Sequence, residues 1–324
     1  MTIKAIEEII GRTVRRDISR MVSFAQGGLE RAARSIMSTP NAHVGIVTGF
    51  FIRNAVPPSP ETDGLGGMAH MAAGLANAGI PVTVISDAPC AKAVWAISNE
   101  LPKSVALEIT AVNTDSVVTL RERLAAGVQP ITHLIAIERV SPGSDGKPHR
   151  EYGADMTDDT APLHLLFNDP AWDRPWVTIG IGDGGNEIGM SVLPCDIIRD
   201  DIPNGPLIAA TTPTDHLIVA GVSNWGGWGL LLAMALVEPT LSGSLLADFH
   251  PEKDRAFLTA AVEVGQAVDD SRVDKPARPV MSVDRLPWET HASLLMHLRG
   301  VTEAYLEGGS PVVDDIASST LSNR

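Results

Sequence analysis

The chain has 324 residues, 44% of them hydrophobic and 20% charged, which is enough to bury a large core and unlike the composition of a disordered segment. Its 39 acidic against 25 basic residues leave a formal charge of -14, which argues against a broad phosphate-neutralising surface and so against nucleic acid as a partner. The two cysteines, Cys90 and Cys195, sit in unrelated local patterns, so neither a disulfide framework nor a Cys-rich zinc site is indicated.

Met1 to Glu8 carries acidic residues and no apolar run closed by small residues, unlike a signal peptide. No stretch reaches the roughly 18 uninterrupted apolar residues of a membrane span. Val219 to Val237 comes nearest, but Ser223-Asn224-Trp225-Gly226-Gly227 interrupts it. The expectation is a cytoplasmic protein with no membrane partner; a homo-oligomer is compatible with everything in the sequence.

In chain order, a helical pattern over Ile18–Met37 precedes an apolar strand at His43–Gly49. Leu65, Met68, Ala72, Leu75, Ala76 and Gly79 then recur at helical spacing, and a second strand follows at Pro81–Asp87. A helix is predicted over Cys90–Glu100, a weaker strand over Ala106–Val112 and a helix over Ser116–Ala126. Strands at His133–Glu138, Trp176–Gly182 and His216–Gly221 come next, then helices at Gly227–Leu236, Pro251–Ala267 and Leu286–Glu307. The strands are apolar at nearly every position rather than alternating, as expected where helices cover both faces of a parallel sheet. The architecture predicted is α/β: a doubly wound, mostly parallel sheet with helices on both faces and a helical C-terminal extension. One domain over 1–324 is expected, its core at about 40–240 and its extension at about 250–310, with Asp200–Pro213 and Asp269–Pro279 the likeliest concealed boundaries.

In such folds ligands collect at the carboxyl ends of strands, beside helix N-termini. Four strand ends carry chemistry. Thr48-Gly49-Phe50, followed by Glu61-Thr62-Asp63-Gly64-Leu65-Gly66-Gly67, offers backbone N–H groups to an anion, or is simply a turn and a capped helix. It matches neither a Walker A loop nor Gly-x-Gly-x-x-Gly. Glu138-Arg139 reads either as a mutual ion pair or as a divided pair in which Arg139 grips an anionic substrate. Gly182-Asp183-Gly184-Gly185-Asn186-Glu187 displays three polar side chains among glycines. Oxygen ligands from Asp183, Asn186 and Glu187 suit Mg²⁺ or Mn²⁺, and the carboxylates equally suit general acid–base work. Ser223-Asn224-Trp225 either orients a substrate carboxylate or caps the next helix. The nine histidines form no His-Glu-x-x-His helix, and a Gly-x-Ser-x-Gly elbow is missing, which argues against zinc-protease and serine-hydrolase chemistry.

Taken in order over roughly 40–240, Thr48-Gly49-Phe50, Glu61-Thr62-Asp63-Gly64, Ile137-Glu138-Arg139, Gly180 to Met190 and Val222-Ser223-Asn224-Trp225-Gly226 resemble the D-glutamate cyclase family. The resemblance implies a lyase that converts D-glutamate to 5-oxo-D-proline with loss of water, assisted by a divalent metal, Mn²⁺ or Mg²⁺. Two departures are a Met190-Ser191 ending to the glycine run and the stiff Pro57-Pro58-Ser59-Pro60 approach to Glu61.

With that resemblance, catalysis is expected at Asp183, Glu187 and Glu138, and the metal at Asp183, Asn186 and Glu187. Substrate contacts are expected at Thr48, Gly49, Asp63, Gly64, Arg139, Gly184, Gly185, Ser223 and Asn224. The rival reading is a nucleotide or phosphometabolite binder that uses Gly64–Gly67 and Gly182–Gly185 as anion cradles.

Overall fold

A computed structural model describes residues 2–269 and 278–309. Six parallel strands form the central sheet: β1 (Val44–Thr48), β2 (Val82–Asp87), β3 (Ala106–Thr110), β4 (His133–Ile137), β5 (Val177–Gly182) and β6 (His216–Val219). Their spatial order is β3-β2-β1-β4-β5-β6, and every adjacent pair is parallel. The doubly wound sheet predicted from the apolar runs is present, and its order reverses between β1 and β4. That reversal is a topological switch point, where the loops on either side splay apart and leave a crevice.

Successive strand residues serve opposite faces, which is why the strands lack polar alternation. Ile46, Val84, Ile135, Ile179 and Ile218 face a core built with the helices Gly28–Met37, Leu65–Asn77 and Ser223–Val237. Val47, Ile85, Leu134 and Ala136 face the other side, against Leu120 and Leu124 of the helix Thr114–Ala126 and against Phe167 and Trp176. The C-terminal helix Trp288–Leu306 sends Leu295, Leu298 and Val301 into the first of these cores.

The predicted helix over 18–37 is two helices, Ser19–Ala25 and Gly28–Met37. The break falls at Gly27, whose φ of +81° only glycine adopts without strain. The carboxylate of Glu7 accepts hydrogen bonds from the Gly27 and Leu29 amides across it. The helix predicted to start at Gly227 starts four residues earlier, at Ser223, for a reason that lies in the site. The N-terminal helix Thr2–Ile10, which buries Ile3, Ile6, Ile9 and Ile10 at helical spacing, and the short helix Cys195–Asp201 were not among the predicted elements.

Of the two candidate boundaries, 200–213 buries Ile202, Ile208 and Ala210 against the glycine-rich loop, and the Ala210 amide donates to the Gly185 carbonyl. Most of the other, 269–279, lies outside the described residues. Among the described residues no single helix is long and apolar enough to cross a membrane, and Ser223–Val237, the most apolar, is buried along almost its whole length.

Candidate active site

The carboxyl ends of β1, β4, β5 and β6 bring three acids together. One oxygen from each of Asp63, Glu138 and Asp183 lies within 4.8 Å of the others, and all three residues are buried. Each arrives by a different local device.

Asp63 precedes the helix Leu65–Asn77 but caps a different one. Its Oδ2 accepts from the Ser223 amide (2.9 Å), while its Oδ1 accepts from the amides of Asn224 (2.9 Å) and Gly64 (2.8 Å). In return Asn224 Oδ1 accepts from the Gly67 amide at 2.7 Å. The two helices thus cap each other, and their positive N-termini converge on one point. This exchange is why Ser223 is already helical.

Glu138 follows β4 with φ of +44°, a left-handed conformation costing about 1–3 kcal/mol for a residue with a Cβ. Its Oε2 accepts a hydrogen bond from Ser223 Oγ at 2.5 Å. Asp183 directly follows β5 and lines the same pocket.

The loop after β5 closes on itself. Glu187 Oε1 accepts from the amides of Asp183 (3.1 Å) and Gly184 (2.6 Å), and Oε2 accepts from Gly185 (2.7 Å). The loop is an anion nest filled by its own carboxylate. The Asn186 side chain donates to the His149 carbonyl at 2.9 Å. The oxygen cluster is therefore Asp63, Glu138 and Asp183, rather than the sequence-local set Asp183, Asn186 and Glu187. Neighbours in a tight loop turn to different sides, so proximity in sequence does not make a ligand set. The cradles of the phosphate-binding reading are largely filled from within: the amides of 64 and 67 in one, and of 183, 184 and 185 in and beside the other, bond to side chains.

Arg139 does not face this pocket, and it does not pair with Glu138. Its guanidinium donates to Asp87 Oδ2 (2.5 Å) and to the carbonyls of Gly49 and Ala161 (2.8 Å each). The side chain is 1% exposed. Gly49 thus serves Arg139 with its carbonyl, and Thr48 at the end of β1 keeps a buried hydroxyl oxygen without a hydrogen-bond partner.

The rest of the wall joins segments marked in sequence, at Phe50, Glu61, Asn186 and Glu187, to others that were not. Arg15 and Arg16 follow the N-terminal helix, Phe50 and Glu61 belong to the β1 side, Arg150 to Tyr152 form a turn, and Asp284 sits on the hairpin Ser282–Val283/Leu286–Pro287. Arg15 and Arg16 reach the site because Gly221 lacks a side chain: a Cβ there would meet the Arg12 carbonyl oxygen at 2.0 Å, and the Gly221 amide bonds the Ile10 carbonyl at 2.8 Å. The only sequence signal for them is a paired arginine between helices in an acidic chain. Asp284 is held by Arg15 Nη1 at 2.5 Å and has φ of +51°.

This crowding moves protonation. Burial raises the Asp63 carboxyl to about 6, although three backbone amides pull it down. Burial, then the charges of Glu187 and Asp183, pushes Glu138 well above the ordinary range. Burial and the charge of Asp284 do the same to Asp183, with Arg16 opposing. Asp284 is raised to about 7 by burial, against the pull of Arg15. Acids packed this closely hold protons at neutral pH or share a cation. The donor set is all oxygen and carboxylate-rich, which fits a hard divalent cation such as Mg²⁺ or Mn²⁺.

A parallel sheet with a buried carboxylate pocket at its switch point defines an α/β protein that takes a small polar ligand at its strand ends. The chain belongs to the D-glutamate cyclase-like C-terminal domain family, whose pattern matches residues 6–299. It is also similar to the human mitochondrial D-glutamate cyclase, with 29% identity over 286 residues. The match covers 80% of this chain and 46% of the human protein, so the chain spans about half the length of that relative. The family match takes in Arg15, Arg16 and Asp284 as well as the strand-end motifs.

Proposed function

We propose that this protein is a lyase that closes D-glutamate into 5-oxo-D-proline with loss of water, using the pocket of Asp63, Glu138 and Asp183. The observation that carries the reading is the meeting of these three buried carboxylates, from three strand ends, beside two converging helix N-termini. Similarity to the human D-glutamate cyclase supports the substrate.

Ring closure joins the α-nitrogen to the carbon of the γ-carboxylate and breaks one of that carbon's C–O bonds, expelling the oxygen as water. Two protons leave nitrogen and two arrive on the departing oxygen. Glu138 and Asp183, whose burial raises their proton affinity well above that of an ordinary carboxylate, receive and return those protons. Ser223 Oγ fixes the Glu138 carboxylate, leaving Oε1 for the pocket. Asp63, Glu138 and Asp183 would hold a divalent cation, which when bound supplies Lewis-acid polarisation of the γ-carboxylate, a poor electrophile while negatively charged. The closed pocket folds the substrate so that amine and carboxylate meet, a large part of the advantage in any cyclisation.

The direct test is incubation of purified protein with D-glutamate and Mn²⁺ or Mg²⁺, following 5-oxoproline. Correctly folded protein that forms none removes the glutamate reading.

A metal-linked stability test needs no turnover. The carboxyls of Asp63 and Asp284 have an ordinary value of 3.8 and sit at about 6 and about 7 in the folded chain. Between those values the folded chain holds protons that the unfolded chain has lost. Their contribution to stability is therefore full below about pH 4 and is lost as pH rises to about 7, at about 3 kcal/mol for Asp63. In chelator the melting temperature is expected to carry this downward component between about pH 4 and 7. At pH 8, Mn²⁺ at about 100 times its dissociation constant restores roughly 2.7 kcal/mol. A melting temperature that ignores Mn²⁺ at pH 8 would remove the cation from the proposal.

A further inference from the structure

Two arginines meet one carboxylate oxygen at the mouth of the pocket. Arg15 Nη2 lies 3.0 Å and Arg16 Nη2 3.1 Å from the same Oε2 of Glu151. Arg15 also reaches Asp284, and Arg16 lies over the glycine loop, where a Cβ on Gly184 would come within 3.4 Å of its Nη1. The side chains of Arg15 and Arg16 are 16% and 17% exposed, so both guanidiniums are largely withdrawn from water. A carboxylate held by two such groups is a strong, oriented contact.

The cavity around these groups has a volume of about 30 Å³, room for an ion or a water but not for a five-carbon amino acid. Next to it opens a groove of about 640 Å³. Arg150 and Tyr152, the residues on either side of Glu151, line both spaces. The turn they form is closed by the Gly153 amide on the Arg150 carbonyl (2.8 Å), and Asn204 holds the Glu151 carbonyl at 3.1 Å. The wall between groove and pocket is thus one short turn, latched to the N-terminal arginines through the Glu151 side chain.

We propose that Arg15 and Arg16 form the clamp for a carboxylate of the acidic substrate, and that Glu151 occupies this clamp as an internal stand-in which the substrate displaces. The inference rests on the cyclase reading for its substrate class. Displacement exchanges one carboxylate for another, so the arginines are never left without an anion, and departure of Glu151 frees the turn that separates groove from pocket. It also explains how a pocket wall in which carboxylates outnumber guanidiniums accepts an acidic molecule: the positive charge is concentrated at the entrance.

Glutarate, a five-carbon dicarboxylate without the amine, reads the clamp without turnover. Calorimetric titration is expected to show binding to the unaltered protein, binding several-fold tighter to Glu151→Gln, and binding at least about tenfold weaker to Arg16→Met. Arg16→Lys keeps the charge but loses the fork, and binds between the two while melting within a few degrees of the parent. Absence of glutarate binding to the unaltered protein, unchanged affinity in folded Arg16→Met or Arg16→Lys, or unchanged or weaker affinity in Glu151→Gln overturns the proposal. The two readings fail separately: 5-oxoproline formation with no response of glutarate affinity to either residue leaves the cyclase without the clamp. The expected glutarate responses without turnover leave the clamp without the cyclase.

Discussion

Asp183→Asn is expected to lower turnover of D-glutamate by about 10³-fold or more and, in chelator at pH 8, to raise the melting temperature. The activity loss follows from its place among the three carboxylates: the amide cannot exchange the proton and is a poor substitute as a cation ligand. The stability gain follows from the same crowding. Burial and the neighbouring Asp284 charge oppose ionisation of Asp183, so at pH 8 the folded parent must either keep an unfavourable charge or take up a proton, a cost that asparagine, of nearly the same shape, avoids. Relief of about 1 kcal/mol corresponds to roughly 1.5 °C in a chain of 324 residues. The variant is also expected to lose the Mn²⁺-dependent rise in melting temperature. Activity above a tenth of the parent's would remove Asp183 from the mechanism, and a fall in melting temperature in chelator would mean that its carboxylate stabilises the fold.

The second large effect is on stability alone. Arg139→Met is expected to destabilise the protein by about 3–5 kcal/mol, the usual result of removing one member of a buried pair. Asp87 is fully buried and would keep only the Ala161 amide, at 3.0 Å, as a partner on Oδ2. The Gly49 and Ala161 carbonyls would lose their guanidinium donor at the same time. Chemical denaturation measures the change, and KM for D-glutamate in the folded fraction is expected to stay within about twofold of the parent. A raised KM with unchanged stability would return Arg139 to the substrate-binding role that its position after β4 suggested.

Much of this molecule is legible in its sequence because strands covered on both sides must be apolar at every position. The runs at His43–Gly49, Pro81–Asp87 and Trp176–Gly182 could hardly be anything but central strands, and the sheet places their polar exits at one edge. Asp63, Glu138 and Asp183 all lie in segments marked at strand exits, and the family resemblance made all three site candidates. Their grouping was not legible, because Asp183, Asn186 and Glu187 are adjacent in sequence and look like one ligand set. Nothing local reveals that Glu187 turns back onto the amides of its own loop, or that Asp63 reaches the amides of residues 223 and 224.

Periodicity and short motifs are local properties, so the layering, the strand ends that carry the chemistry and the resemblance to D-glutamate cyclases are all written along the chain. Folding chose the partners. It gave Arg139 to Asp87, started the last core helix at Ser223 through a cap 160 residues away in the chain, and brought Arg15, Arg16 and Asp284 to the pocket mouth. Hydrogen bonds and ion pairs act over about 3 Å of space and are indifferent to separation along the chain.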